Sequence, residues 1–453
     1  MEALVQAQRD YFFTGATLPL SFRRQALERL RRAILQREEE IYAALAADLN
    51  KSPAESYMCE VGLTLSELGY VSKNLPRWMR DSRRPASLAQ FPAKSFVRSE
   101  PYGVVLILSP WNYPFLLAME PLIGAIAAGN CCIVKPSAYS PRTSAVLRKI
   151  LSDCFPPHYV SAVEGGREEN QALLEQKFDY IFFTGGTAVG REVMAKAARH
   201  LTPVTLELGG KSPCIVDASA RLELAAKRLV FGKLLNCGQT CVAPDYLLID
   251  RRVKEQFLSY VQRWITAMYG QDPLDNRGYV RMVSRKHFDR VMGLIDPERV
   301  VFGGRGDPET LKIQPTILDP VRPEDPVMQE EIFGPLLPVL PFDHIQQAAD
   351  FILSRPRPLA LYLFSQDRRA QELCLRIPFG GGCINDTVIH LATSHMPFGG
   401  VGESGMGSYH GRASFDTFSH RKSVVQKSAW LDLPVRYAPY TPMKARLLRL
   451  FLR

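Results

Sequence analysis

Two cysteines lie close together in Asn236-Cys237-Gly238-Gln239-Thr240-Cys241. A thiol beside glycine and small polar residues, at an expected helix start, has the surroundings of an activated nucleophile. A free thiol is mostly protonated near neutrality, so such a nucleophile needs a base or a local positive potential. Each cysteine read singly also suits a small buried hydrophobe, and the pair could form a disulfide or share a metal. No second Cys-x-x-Cys cluster or neighbouring histidine favours a metal. Two acidic sites could supply a base. Glu207 ends an apolar run before Gly209-Gly210, and Glu330-Glu331 precede Ile332-Phe333-Gly334-Pro335. A carboxylate at a strand end beside a Gly-Gly turn can act as a general base, although each acid alone also suits a surface charge. His390 and His395 are five apart, do not share a helical face, and read as loop residues rather than metal ligands.

Three glycine-rich segments are candidates for phosphate binding. Gly185-Gly186-Thr187-Ala188-Val189-Gly190 follows the apolar run 180–183 and opens a helix expected over 191–200. Glycines admit close backbone approach and a helix N-terminus favours anions, so a pyrophosphate fits there; a tight turn without ligand is the alternative. Gly400-Val401-Gly402-Glu403-Ser404-Gly405 fits G-x-G-x-x-G but follows no strand, so it reads as a loop. Gly209-Gly210-Lys211-Ser212 resembles the end of a phosphate loop, but Thr205 stands where that loop needs its first glycine.

The elements that must position these residues alternate. Residues 21–50 read as one long amphipathic helix with Ser21 as N-cap, and a second helical region runs to about Trp78. The Pro/Ser/Arg-rich stretch that follows is a linker or a strand arm. Apolar runs at 103–108, 131–135, 159–164 and 180–184 are then separated by helix-sized segments, which predicts a parallel doubly wound sheet with ligands at the carboxyl ends of its strands. A second alternation runs through 213–216, 246–249, 335–340 and 359–364, with a domain boundary near 207–212. The apolar stretch 115–134 contains Glu120, Pro121, Gly124, Gly129 and Asn130, so it reads as a buried helix, a turn and a buried strand rather than a membrane span.

With 453 residues, 46% hydrophobic and 23% charged, the chain is an ordinary globular protein. Its net charge is +10, and residues 421–453, with eight basic residues and one acid, hold +7 of it. A nucleic-acid binder carries its basic patch on the folded body, so none is expected here. On a helix over 443–453, Arg446, Arg449 and Arg453 oppose Met443, Leu447, Leu450 and Phe451. Such a face can lie on an anionic membrane surface or pack on the body or a second subunit. It is too short to span and has no prenylation cysteine. Nine cysteines after a polar N-terminus predict reduced thiols and a cytoplasmic protein, with at most peripheral membrane contact.

Taken in order, Pro110-Trp111-Asn112-Tyr113-Pro114, Lys135-Pro136-Ser137, Phe183-Thr184-Gly185, Leu206-Glu207-Leu208-Gly209-Gly210-Lys211, Gly238-Gln239-Thr240-Cys241, Glu331-Ile332-Phe333-Gly334-Pro335 and Pro397-Phe398-Gly399-Gly400 resemble the signature blocks of the aldehyde dehydrogenase superfamily. The extension of the cysteine block through Val242-Ala243-Pro244-Asp245-Tyr246 resembles its class 3 branch, which includes fatty aldehyde dehydrogenases. The resemblance implies an α/β fold with a Rossmann-like cofactor domain (1–78 and 98–207), an α/β catalytic domain (208–395), a bridging or oligomerisation arm (79–97 and 396–440) and a basic tail (441–453). It implies NAD(P)-dependent oxidation of medium- or long-chain aliphatic or aromatic aldehydes by a homodimer. Cys241 would be the nucleophile, Asn112 and the Cys241 N–H the oxyanion donors, and Glu207 the activator of the hydrolytic water. Glu331 and Phe333 would hold the nicotinamide ribose and ring, Lys135 the adenosine ribose, and Gly185, Gly186 and Gly190 the pyrophosphate, with Trp111 and Leu208 also at the cofactor. Two positions depart from the family pattern: Ala138 replaces the usual ribose-binding acid, and Gly186 replaces a common serine. Acylating relatives that use coenzyme A generally lack the acid at Glu207, which is present here.

Overall fold

The computed structural model describes residues 1–86 and 90–451. Residues 87–89 of the expected arm, and the Phe451 and Arg453 side chains of the tail, lie outside that description. The fold is α/β. The first large sheet has six strands in the order Gly405–Met406, Val204–Leu208, Tyr180–Gly185, Val104–Leu108, Cys131–Lys135, Val160–Ala162. All its pairings are parallel except that of Gly405–Met406 with Val204–Leu208. Val104–Leu108 and Cys131–Lys135 are buried throughout. Helices cover both faces of a parallel sheet, so its strands read as unbroken apolar runs.

The second sheet has seven strands in the order Val300–Phe302, Thr316–Leu318, Leu336–Phe342, Tyr246–Asp250, Pro213–Val216, Ala360–Phe364, Gly381–Ile384. Only the edge strand Val300–Phe302 is antiparallel to its neighbour. A third sheet pairs Ser82–Arg84 with Ala93–Pro101 and Ala93–Pro101 with Ser419–Lys427, both antiparallel.

Three local readings are corrected. The stretch expected as one helix over 21–50 is two, Leu20–Gln36 and Glu38–Leu49. Its cap position is Pro19, and Ser21 lies in the first turn. Every residue around the break favours helix, so propensity cannot mark it. Arg37 leaves helical geometry (φ −116°, ψ 19°) where its guanidinium pairs with Glu40 and Asp153. The helix after Gly186 opens at Thr187, not Arg191. The segment 400–405 is the loop expected of it, and its last residue opens the short strand Gly405–Met406 of the first sheet.

Leu116–Ala128 is the buried helix expected in the apolar stretch, and all thirteen of its residues are buried. No helix among the described residues is long and apolar enough to cross a membrane. The tail forms the helix Pro442–Phe451, with Met443 and Leu450 exposed.

Candidate active site

The carboxyl ends of the first sheet meet the loops that enter the second. Asn112 follows Val104–Leu108, and Glu207 lies in Val204–Leu208. Cys241 precedes Tyr246–Asp250, and Glu331 and Phe333 precede Leu336–Phe342. The Asn112 amide Nδ2 donates to the Gln239 carbonyl at 3.0 Å, and Asn236 Nδ2 donates to the Asn112 carbonyl at 2.8 Å and to the Gln239 carbonyl at 3.0 Å. One amide N–H of Asn112 is thus spent on the cysteine loop and the second is left to act. The Glu331 carboxylate lies against Gly209, where a Cβ would fall 2.0 Å from its Oε2 and push it aside. Gly238, at φ +74°, takes the left-handed conformation that glycine tolerates, and a Cβ on it would lie 2.3 Å from the Gly334 carbonyl oxygen.

The two candidate thiols occupy different surroundings. They are not bonded to each other, since both are free. Cys237 is fully buried and its Sγ donates to the Tyr279 hydroxyl at 3.4 Å. Cys241 is partly exposed and lines a cavity. The expected helix start is absent: a short 3₁₀ turn, Leu235–Gly238, precedes Cys241, and Asn236 and Cys237 within it take φ +54°. Cys241 therefore gains no helix dipole. Burial pushes its thiol up to about 12, with Glu331 and Glu207 adding to the rise, while its own N–H and that of Val242 pull the other way. At rest the thiol is protonated. Glu207 is 3% exposed, and neither carboxylate oxygen has a hydrogen-bond partner among the described residues. Burial pushes its carboxyl well above the ordinary carboxylate range, which makes its ionised form a stronger base.

Ser109 Oγ and Thr184 Oγ1, at the carboxyl ends of adjacent strands, are buried without hydrogen-bond partners among the described residues. Orphaned hydroxyls at that point of a parallel sheet fit a polar ligand. No atom crowds the space beside Gly186 where a side chain would start, whereas a Cβ on Gly185 would meet the Phe183 ring at 2.5 Å. Gly190 lies within the helix Thr187–Ala198, where a Cβ would meet Leu208 Cδ2 at 2.6 Å, so it lets that helix pack on Leu208. The buried Lys135 ammonium donates to the carbonyls of Pro136 (2.8 Å) and Gly165 (2.7 Å), and burial lowers its pKa. Phe333, at φ +49°, meets Trp111 edge-on at 5.3 Å. Burial raises the Glu331 carboxyl to about 8, Asp245 adds to the rise, and the Gly210 N–H opposes it.

Beneath Asn112 lies a charged network that sequence reasoning missed. Lys51 and Glu60 form an ion pair with both side chains fully buried. The Lys51 ammonium also donates to the Asn112 carbonyl at 3.0 Å and sits 4.1 Å from the Tyr113 ring centre. Glu60 Oε2 accepts the N–H groups of Phe115 (2.8 Å) and Leu116 (3.2 Å). Glu55 accepts the Asn236 N–H at 2.8 Å. Glu60 belongs to a π-helical turn, Tyr57–Val61, a wide turn of the kind often found at functional sites. These residues lie some sixty positions before Asn112, and no local pattern announces them.

The cavity beside Cys241 holds about 190 Å³ and is mainly apolar, with Leu63, Leu116, Leu117, Phe231 and Phe398 in its wall. Tyr113 and Thr240 contribute hydroxyls, bonded to each other at 2.7 Å. Glu120 and His410 also line it.

The chain matches the sequence model of the Aldehyde dehydrogenase family over residues 1–424. It is 46% identical over 435 residues to the 4,4'-diaponeurosporen-aldehyde dehydrogenase of Staphylococcus aureus, covering 95% of each chain. It is 43% identical over 455 residues to aldehyde dehydrogenase family 3 member A2 of Macaca fascicularis, covering 100% of this chain and 94% of that one. Its fold superposes on the substrate-bound state of Staphylococcus aureus AldH with a TM-score of 0.98 at 44% identity, over 100% of this chain and 99% of that one. The NAD+ complex of a Mycobacterium tuberculosis aldehyde dehydrogenase superposes with a TM-score of 0.85 at 30% identity, over 94% and 90% of the two chains.

Proposed function

The chain belongs to the aldehyde dehydrogenase family and is an oxidoreductase acting on aldehydes, and from that premise we propose how its residues divide the reaction. Cys241 Sγ attacks the aldehyde carbon from the wall of the apolar cavity. Its proton leaves as the C–S bond forms, and the ionised form of Glu207 is the buried base that receives it and releases it to solvent before the hydrolytic step. The oxygen of the resulting thiohemiacetal is held by the free Asn112 amide N–H and the Cys241 N–H. A bound nicotinamide dinucleotide supplies the hydride acceptor. The thioester left on Cys241 is then hydrolysed by water that Glu207 deprotonates. Glu331, Phe333, Trp111, Lys135, Leu208 and the Gly185-Gly186 turn would hold the dinucleotide, with Gly190 acting through packing.

The observation that carries this reading is the Asn112–Gln239 tie, which joins an oxyanion donor to the loop bearing the one thiol of the pair that faces a cavity. Substitution tests it. Cys241→Ser should abolish dehydrogenation while Cys237→Ala keeps most of it; the reverse result would mean the other thiol is the nucleophile. Asn112→Ala should lower turnover by ~10²–10³, and Glu207→Gln should accumulate an acyl adduct visible by mass spectrometry. Adding coenzyme A should not accelerate turnover, because hydrolysis by water completes the cycle.

The apolar wall favours medium- or long-chain aliphatic or aromatic aldehydes, as does the name of the Staphylococcus aureus relative. Ala138 supports use of NADP alongside NAD. We further assign a homodimeric assembly built on the three-stranded arm, a cytoplasmic setting, and peripheral contact of the tail helix with anionic membranes.

A further inference from the structure

We propose that Glu120 and His410 form a recognition site for a hydrogen-bond donor, a hydroxyl group, carried by an aldehyde whose remaining surface is apolar. The inference rests on Cys241 as nucleophile and on the adjoining cavity as the aldehyde's place, and it names the substrate class that cavity selects. Glu120 is the one charged residue of the helix Leu116–Ala128, in which every residue is buried. It is 6% exposed, and it is the one carboxylate on the wall of the cavity beside Cys241 among the described residues. Its Oε2 lies 3.2 Å from His410 Nε2.

The arrangement is costly in three ways. A carboxylate in apolar surroundings loses its hydration and needs a partner. The partner arrives from 290 residues further along the chain, on a segment of irregular backbone. His410 has φ +77°, a conformation that costs a side-chain-bearing residue free energy. That turn is held open by its neighbours: the His410 N–H donates to Ser414 Oγ at 2.9 Å, and the Gly411 N–H donates to Glu67 Oε1 at 2.7 Å. The imidazole stacks on Phe398 (5.6 Å, interplanar 20°) and meets Tyr409 edge-on (4.3 Å). It is therefore fixed where it meets Glu120.

A pair serving stability alone has no need to face the cavity, since apolar residues of similar size stabilise a core as well or better. On the cavity wall the pair has a consequence for binding. A purely apolar chain entering the cavity strips the remaining water from Glu120 and returns no hydrogen bond. A hydroxyl at the same depth donates to the carboxylate and restores one. Sites that hydrogen-bond a substrate group discriminate strongly against the analogue lacking it.

The test compares kcat/KM for n-alkanals and for the ω-hydroxyalkanals in which a hydroxyl replaces the terminal methyl, across a range of chain lengths. The ratio of hydroxyalkanal to alkanal should peak at one length, at about 10- to 100-fold. Glu120→Gln retains an acceptor and should keep the peak. Glu120→Met should abolish it. The double variant Glu120→Met with His410→Phe, which leaves no unpaired imidazole, serves if the single variant does not fold. A ratio without a peak, or a peak that persists in the double variant, overturns the proposal. Cys241→Ser run in parallel separates the two claims: loss of all oxidation there, with a ratio indifferent to Glu120, sinks this inference and leaves the reading of the active site standing.

Discussion

Glu331 keeps a proton in the folded protein up to about 8, against an ordinary value of 4.5, because burial and Asp245 disfavour its charge. The unfolded chain releases that proton near the ordinary value. Over the interval between the two, the folded state binds more protons, so stability falls as pH rises. Glu331→Gln removes the charge and with it the cost. Its melting temperature should exceed that of the parent protein by more at about pH 8 than at about pH 5, as thermal unfolding at the two pH values would show. An equal gain at both would mean that Glu331 is not the titrating group. Ala138 makes a second claim at this scale. An acid there hydrogen-bonds the adenosine ribose and repels a 2′-phosphate. With alanine both effects vanish, and NADP should be used at least comparably to NAD. A preference for NAD above ~100-fold in kcat/KM would defeat that argument, and Ala138→Glu should move selectivity towards NAD.

At the scale of elements, the π-helical turn Tyr57–Val61 sets Glu60 between Lys51 and the backbone of Phe115 and Leu116. Removing one member of a fully buried ion pair leaves the other uncompensated. Lys51→Met should cost about 3–5 kcal/mol in urea unfolding. The double change with Glu60→Gln should cost less than the two single changes summed, because each relieves the other. Strict additivity would show that the pair does not interact. The strands of the first sheet were legible because VVLIL and CCIVK are buried on both faces and stay apolar without a break. Gly381–Ile384 and Gly405–Met406 were not, since short runs rich in glycine carry no strand pattern. The break at Arg37 was hidden for the opposite reason, as good helix formers surround it. In the candidate site, Asn112, Glu207 and Cys241 could be singled out because they stand in ordered motifs. Lys51, Glu60 and the Glu120–His410 pair depend on contacts between distant segments. Glu120 alone left a trace, as an acid inside a long apolar run.

At the scale of the whole molecule, Ser419–Lys427 ends the arm sheet with one edge open, and Val425 on it is exposed. A long open edge pairs readily with another chain. Sedimentation should therefore give about twice 50.9 kDa, and Val425→Asp should shift the distribution towards single chains. A single-chain mass at every concentration would rule out the dimer. Adding anionic liposomes to the same experiment tests the tail: residues 1–440 should pellet less than the full chain, and equal pelleting would remove the membrane contact.

The arm also sets a clock. Ala93–Pro101 emerges from the ribosome early, yet its partner Ser419–Lys427 follows more than 300 residues later. At about 5–20 residues per second, the earlier strand waits roughly 15–70 s with its second edge unpaired. The strand Gly405–Met406, which borders Glu207, is also made near the end of synthesis. During that interval Lys94, Arg98 and Glu100 are the charges available on the waiting strand to discourage pairing with the wrong chain. A ribosome that stalls before residue 405 therefore holds a nascent chain whose first sheet has all but its last strand, whose arm has only one side, and whose protection from aggregation rests on those three side chains and on chaperones.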